Sequence, residues 1–256
     1  MLGDLVAAAE LRAAALGARP GQGQVPVDVP PFVEALRDGS VVVIAELKRR
    51  SPSKGAINVT LQVGPRAAEY AAGGAGALSV LTEPERFGGS LDDLREVRRA
   101  VALPVLRKDF IVSPAQLHEA RAAGASAVLL IARALEPARF GALAAEATAI
   151  GLDLLLEVRD EDELARALAV PHGAIGVNTR NLETLAVDPG VGARLLPLVP
   201  RDRVAVYESG ITTRADVERA ASHGADAVLV GSSLSGAGDG AAAVRALAGV
   251  RARRRG

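Results

Sequence analysis

Several short apolar runs in this chain end in side chains that can trade protons. Val42, Ile44, Glu46 and Lys48 stand two apart, so in an extended segment they share one face, and an apolar row closes on a carboxylate and an ammonium. Lys108 closes PVLRK on the face of Pro104 and Leu106, and Glu157 closes LDLLLE. Asn178 and Arg180 close AIGVN, and Glu208 with Ser209 closes RVAVYE. Lys and Glu become acid–base groups near neutral pH once burial and neighbours move their pKa values. One such end, taken alone, reads as an ion pair that terminates a strand. Five of eight ends carry charged or amide groups, and burying each charge costs several kcal/mol unless it is paired. That convergence points to a site.

The last two runs end differently. ESGITT at Glu208 and VGSSLSG at Val230 place small residues where backbone N–H groups can approach an anion, which suits a phosphate. A bulky residue at Gly231 is therefore expected to raise KM for a phosphorylated substrate more than it lowers kcat. The segment SPSKG at Ser51 reads equally as a loop that closes over this site, with Lys54 or Arg50 near a phosphate, or as a plain surface loop. Phe87 and Phe110 follow the second and third runs, as an apolar wall for a ring or as loop residues packed on a helix. His118, His172 and His223 fall away from the run ends, which leaves the acid–base chemistry to Lys and Glu.

The elements that must position these groups follow from periodicity. Eight apolar runs, from Val41, Ala77, Pro104, Ala127, Leu152, Ala174, Arg203 and Ala227, recur at intervals of about 20 to 35 residues. Amphipathic helical patterns separate them, as from Ser90, Ser113, Asp160 and Thr213, each opening on a good N-cap residue. Gly-Ala pairs at Gly124 and Gly224 stop a helix directly before a strand. Eight βα units in about 200 residues predict a (β/α)8 TIM barrel with its site at the C-terminal strand ends. An open doubly wound sheet is the second choice, and it lacks its G-x-G-x-x-G after the first strand. Residues 1–40 read as a short N-terminal helical extension and linker, with helices over Leu5–Leu16 and Phe32–Arg37 around PGQGQVPVDVPP, and residues 41–250 as the barrel. The tail RARRRG reads as a solvated charge run.

Composition narrows the partner. The 256 residues carry 30 Lys+Arg against 30 Asp+Glu, which argues against nucleic acid and against an anionic membrane surface. A small molecule is the expected partner. Cys is absent, so thiolate and cysteine–metal chemistry are excluded. With no apolar run near the ~20 residues of a membrane span, the expectation is a cytoplasmic protein, most simply a monomer.

The segments AELKRRSPSKG (Ala45 to Gly55), SVLTEPERFGGS (Ser79 to Ser90), PVLRKDFIV (Pro104 to Val112), LLEVRDEDEL (Leu155 to Leu164), IGVNTRNLETLAVD (Ile175 to Asp188), YESGITTRADV (Tyr207 to Val217) and GADAVLVGSSL (Gly224 to Leu234) resemble the signature segments of indole-3-glycerol phosphate synthase. The resemblance runs in register from Phe32 to Leu234. It implies closure of 1-(2-carboxyphenylamino)-1-deoxyribulose 5-phosphate to indole-3-glycerol phosphate with loss of CO2 and water, in tryptophan biosynthesis, with no cofactor and no metal. Other enzymes of that pathway are the protein partners it suggests. It also implies roles: Lys108 as the general acid, Glu157 and Lys48 as the acid–base pair of the dehydration, and Glu46 orienting Lys48. Asn178 and Arg180 would hold the carboxylate or the sugar hydroxyls. Ser51 and Glu208 match further active-site positions. Ser209, Gly210, Gly231 and Ser232 would take the phosphate, and Phe87, Phe110 and Leu129 would flank the ring. Family members usually begin with a longer, charged helix over the barrel mouth, Thr179 follows Asn178 here, and Arg159 stands where His is common. Another phosphate-binding barrel, such as a ketose isomerase relative or a non-catalytic binder, is the alternative, and it would not need Glu46, Lys48, Lys108, Glu157 and Asn178 together.

Overall fold

A computed structural model describes residues 1–16, 29–253 and 255. The expected linker lies mostly outside them. Eight parallel strands, β1 (Val42–Leu47), β2 (Ala77–Leu81), β3 (Val105–Lys108), β4 (Ala127–Ile131), β5 (Asp153–Val158), β6 (Ala174–Asn178), β7 (Ala205–Glu208) and β8 (Ala227–Val230), close on themselves, with β1 paired to both β2 and β8. Helices follow the strands, as the crossover between parallel neighbours requires. The result is the (β/α)8 barrel the spacing predicts. Val, Ile, Leu and Ala dominate the strands because both faces are covered, one by the barrel interior and one by helices.

The floor of the barrel is built from segments whose sequence reads differently. Helix Phe32–Ala35 is shorter than expected, and it drives Phe32 and Leu36, both fully buried, into the base. Its first amides, Phe32 N and Val33 N, donate to Asp153 Oδ2 at 2.7 and 2.9 Å, so the opening residue of β5 serves as its cap. The tail is not a wholly solvated charge run. Arg255 is buried, and its guanidinium donates to Val199 O at 2.9 Å, to Asp226 Oδ2 at 2.8 Å and to the carbonyls of Pro200, Arg203 and Gly224. Five fixed N–H donors match a ring of strand-entry carbonyls, a use that a reading of charge density does not anticipate.

The first helix spans Leu2–Leu16, three residues earlier than expected, because Leu2 and Leu5 continue its buried stripe. It packs at the mouth end of the barrel. The Met1 amino group donates to Glu183 at 2.7 Å, beyond β6, and Arg12 reaches Asp109, just past β3, at 3.2 Å. Among the described residues, no helix is long and apolar enough to cross a membrane.

Candidate active site

The strand register brings the charged and amide residues of the strand ends to one level. Asn178 pairs with Glu208, and Glu208 with Leu229, on β6, β7 and β8, while Leu81 pairs with Lys108 on β2 and β3. Glu46, Lys48, Lys108, Glu157, Asn178, Arg180 and Glu208 all line one pocket in the mouth. Lys48 Nζ lies 2.7 Å from Glu46 Oε1, an ion pair within one strand end. Lys108 Nζ lies 3.7 Å from both Glu157 Oε2 and Glu208 Oε2. The carboxylates of Glu157 and Glu208 are nearly solvent-free, so the lysine is their local counter-charge.

Electrostatics follow from that crowding. Burial lowers the Lys108 amine, but Glu208, Glu157 and Glu46 together outweigh it and hold the amine above the ordinary lysine range. Glu208 moves the other way from a normal carboxylate. Burial first, and then the neighbouring Glu157 charge, push it up to about 8 against the pull of Lys108. Its Oε1 is buried and has no hydrogen-bond partner among the described residues, which favours the protonated form. Room for this carboxyl comes from Gly176, where a Cβ would collide with Glu208 Oε1.

At the other side of the mouth, the Asn178 carbonyl oxygen accepts from Ser209 Oγ and from Arg180 N, both at 3.0 Å. One side chain thus fixes two neighbouring strand ends. Arg180 Nη1 donates to Leu185 O at 2.7 Å, which holds the guanidinium along the pocket rim. Ser209 and Gly210 both have positive φ, 73° and 79°. For a serine that is a strained backbone, and Thr179, fully buried, secures it by donating its hydroxyl to Glu208 O at 3.0 Å or to Ser209 O at 3.3 Å. Gly231 and Ser232 line the opposing turn. Gly231 also stands against the Glu46–Lys48 ion pair, since a Cβ there would press on Glu46 Oε1 and lie 2.8 Å from Lys48 Nζ. A larger residue at Gly231 would therefore meet the Glu46–Lys48 pair as well as the turn it belongs to.

Phe87, Phe110 and Leu129 line the pocket, and so do Met1 and Leu5 of the first helix. The SPSKG segment is a tight hairpin, Arg50–Ser51 against Gly55–Ala56, that brings Ser51 and Lys54 to the pocket. Arg50 is exposed and stands outside the lining.

The model of the family "Indole-3-glycerol phosphate synthase" matches residues 6–247. The chain belongs to the indole-3-glycerol phosphate synthase family. An indole-3-glycerol phosphate synthase of Nocardioides sp. is 52% identical over 242 residues, covering 94% of this chain and 90% of its own length. One from Streptomyces coelicolor is 51% identical over 225 residues, covering 88% and 81%, and one from Opitutus terrae is 50% identical over 222 residues, covering 84% of each. Among solved structures, 3-hexulose-6-phosphate synthase from Salmonella typhimurium has a TM-score of 0.63 at 15% identity, covering 81% of this chain and 96% of that one. Thiamine phosphate pyrophosphorylase from Pyrococcus furiosus has 0.60 at 16%, covering 83% and 95%. These two share the fold. The enzymes of the indole-3-glycerol phosphate synthase family are carboxy-lyases of tryptophan biosynthesis and act on a small phosphorylated substrate.

Within this family frame, three residues of the site escape a reading by strand ends. Thr179 faces away from the pocket and works through backbone. Ser235, fully buried, donates to Glu46 O at 2.9 Å and accepts from Lys48 N at 3.1 Å, which ties the turn after β8 to the strand end that carries the ion pair. Arg12 comes from a helix almost a hundred residues from its partner, Asp109. A hydroxyl or a guanidinium with a remote backbone or carboxylate partner leaves no periodic trace.

Proposed function

We propose that this chain closes 1-(2-carboxyphenylamino)-1-deoxyribulose 5-phosphate to indole-3-glycerol phosphate with loss of CO2 and water, as a monomer in the cytoplasm. The observation that carries the reading is the joint placement of Lys108 with Glu157 and Glu208, and of Lys48 with Glu46, around one pocket that has an apolar wall at one side and Gly/Ser turns at the other.

The chemistry follows from that arrangement. The ring carbon bearing the carboxylate attacks the ketone carbon, and the carbonyl oxygen develops alkoxide character. Lys108, fully protonated at neutral pH, donates to that oxygen, which by then is far more basic than an amine. Loss of CO2 returns the electrons to the ring. Dehydration needs the new hydroxyl protonated and a proton removed from the ring system, tasks for Lys48 and Glu157. Glu46, 2.7 Å from the Lys48 amine, keeps that ammonium aimed into the pocket. Arg180 is suited to a carboxylate by its planar fork, and Asn178 retains amide N–H groups for the carboxylate or a sugar hydroxyl. The phosphate rests on Ser209, Gly210, Gly231 and Ser232, where backbone N–H groups meet the anion. Phe87, Phe110 and Leu129 enclose the ring. No cofactor or metal enters this scheme.

Incubating the purified chain with the anthranilate-derived substrate tests it. An indole chromophore should grow as CO2 is released. Failure to form indole from authentic substrate contradicts the assignment.

A further inference from the structure

The two phenylalanines of the pocket wall are held in the same way. Phe87 N donates to Glu83 Oε2 at 3.1 Å, as one of three amides of the short helix Pro84–Phe87 that this carboxylate caps. Phe110 N donates to Asp109 Oδ1 at 2.8 Å. Both side-chain carboxylates are almost sealed from solvent, at 1% and 2% exposure. Asp109 has a cation of its own barrel in Arg107, at 3.1 Å, and a hydroxyl donor in Thr82, at 2.7 Å. Glu83 has no such cation among the described residues of the barrel. Its ion-pair partner is Arg12 of the first helix, whose Nη1 lies 3.5 Å from Glu83 Oε1 while its Nη2 donates to Asp109 Oδ1 at 3.2 Å.

We propose that Arg12 is a positioning residue: its guanidinium spans Glu83 and Asp109, and so seats the first helix on the two carboxylates that fix the phenylalanine wall around the substrate ring. The inference rests on the functional reading above, which places the ring at that wall. Arg12 touches neither the reacting atoms nor the phosphate turns. Its removal leaves Glu83 buried with no cation among the described residues and takes away the anchor of the helix next to the phenylalanine wall, while Met1 stays tied to Glu183 and Glu10 to Arg139. The ring end of the site should loosen, and the acid–base cluster should not.

The experiment is steady-state kinetics of Arg12→Met and Arg12→Lys with the authentic substrate, with inorganic phosphate as a competing inhibitor and thermal unfolding followed in parallel. Arg12→Met is expected to raise KM about tenfold, the scale of one lost charge-assisted contact, with kcat within about twofold and the phosphate inhibition constant unchanged. Arg12→Lys keeps the charge without the fork and should raise KM by roughly threefold. An unchanged KM in Arg12→Met overturns the inference, and so does a parallel rise in KM and in the phosphate constant, which marks general loosening. If Arg12→Met does not fold, Arg12→Lys decides, and a wild-type KM there overturns the inference. A wild-type chain that makes no indole overturns the functional reading and this inference with it, whereas indole formation beside an indifferent Arg12 overturns the inference alone.

Discussion

The ammonium of Lys108 lies 3.7 Å from the Glu208 carboxylate, the same distance that separates it from Glu157. One cation thus faces two buried carboxyls. Burial and the Glu157 charge resolve the imbalance by pushing Glu208 up to about 8, so that near neutral pH the trio carries one proton more than ordinary values would give it.

A pH dependence follows, with a definite sign. Raising pH through about 8 ionises Glu208 and adds a negative charge beside the place where an anionic substrate must bind. The result expected for kcat/KM is a fall across that range, and Glu208→Gln, which cannot ionise, should lack the inflection. Stability carries the same signature. The folded state holds a proton on Glu208 that the unfolded chain releases near the ordinary carboxyl value, so this contribution is complete below that value and is lost as pH rises through about 8. Thermal unfolding of wild type against Glu208→Gln at pH 5, 7 and 9 measures it. Parallel curves would contradict the assignment.

Gly231→Val should damage turnover as well as binding. A side chain there displaces Glu46 Oε1 and crowds Lys48 Nζ, breaking the pair that orients the second lysine. We expect kcat to fall by about 10²-fold or more, the scale of a lost acid–base group, together with a rise in KM. Kinetics showing a KM effect alone would mean that the Glu46–Lys48 pair tolerates displacement.

Arg255 should matter to stability and not to chemistry. Arg255→Ala takes the guanidinium donor from a set of floor carbonyls and the cation from Asp226, which keeps only its bond from Ala205 N, at a cost of about 1–3 kcal/mol for unsatisfied buried groups. Denaturant unfolding should show that loss while KM and kcat stay unchanged. A midpoint equal to wild type would mean the tail is dispensable.

The barrel was legible because each strand is a short, doubly buried apolar run, and the period-two alternation from Val42 to Lys48 indicates which side chains reach the mouth. Lys108, Glu157, Asn178 and Glu208 could be found for the same reason: each is the last inward position of its strand. What was hidden depends on contacts remote in sequence. Nothing local in Arg107-Lys108-Asp109 shows that its outer two residues form a network with Thr82 and Arg12 while the lysine turns to Glu157 and Glu208. Gly176 reads as a small strand residue until the Glu208 carboxyl is seen to occupy the space beside it. Arg255 reads as tail charge until the carbonyls beneath the barrel are counted as acceptors.

The central claim is that Lys108 delivers the proton to the ketone oxygen, and the turnover of Lys108→Ala on the authentic substrate tests it most directly. A positioned acid contributes about 10²–10⁴-fold, so kcat should fall by that factor with KM within a few-fold of wild type, since the phosphate turns and the aromatic wall are untouched. A Lys108→Ala enzyme that forms indole at a rate near wild type would contradict the account.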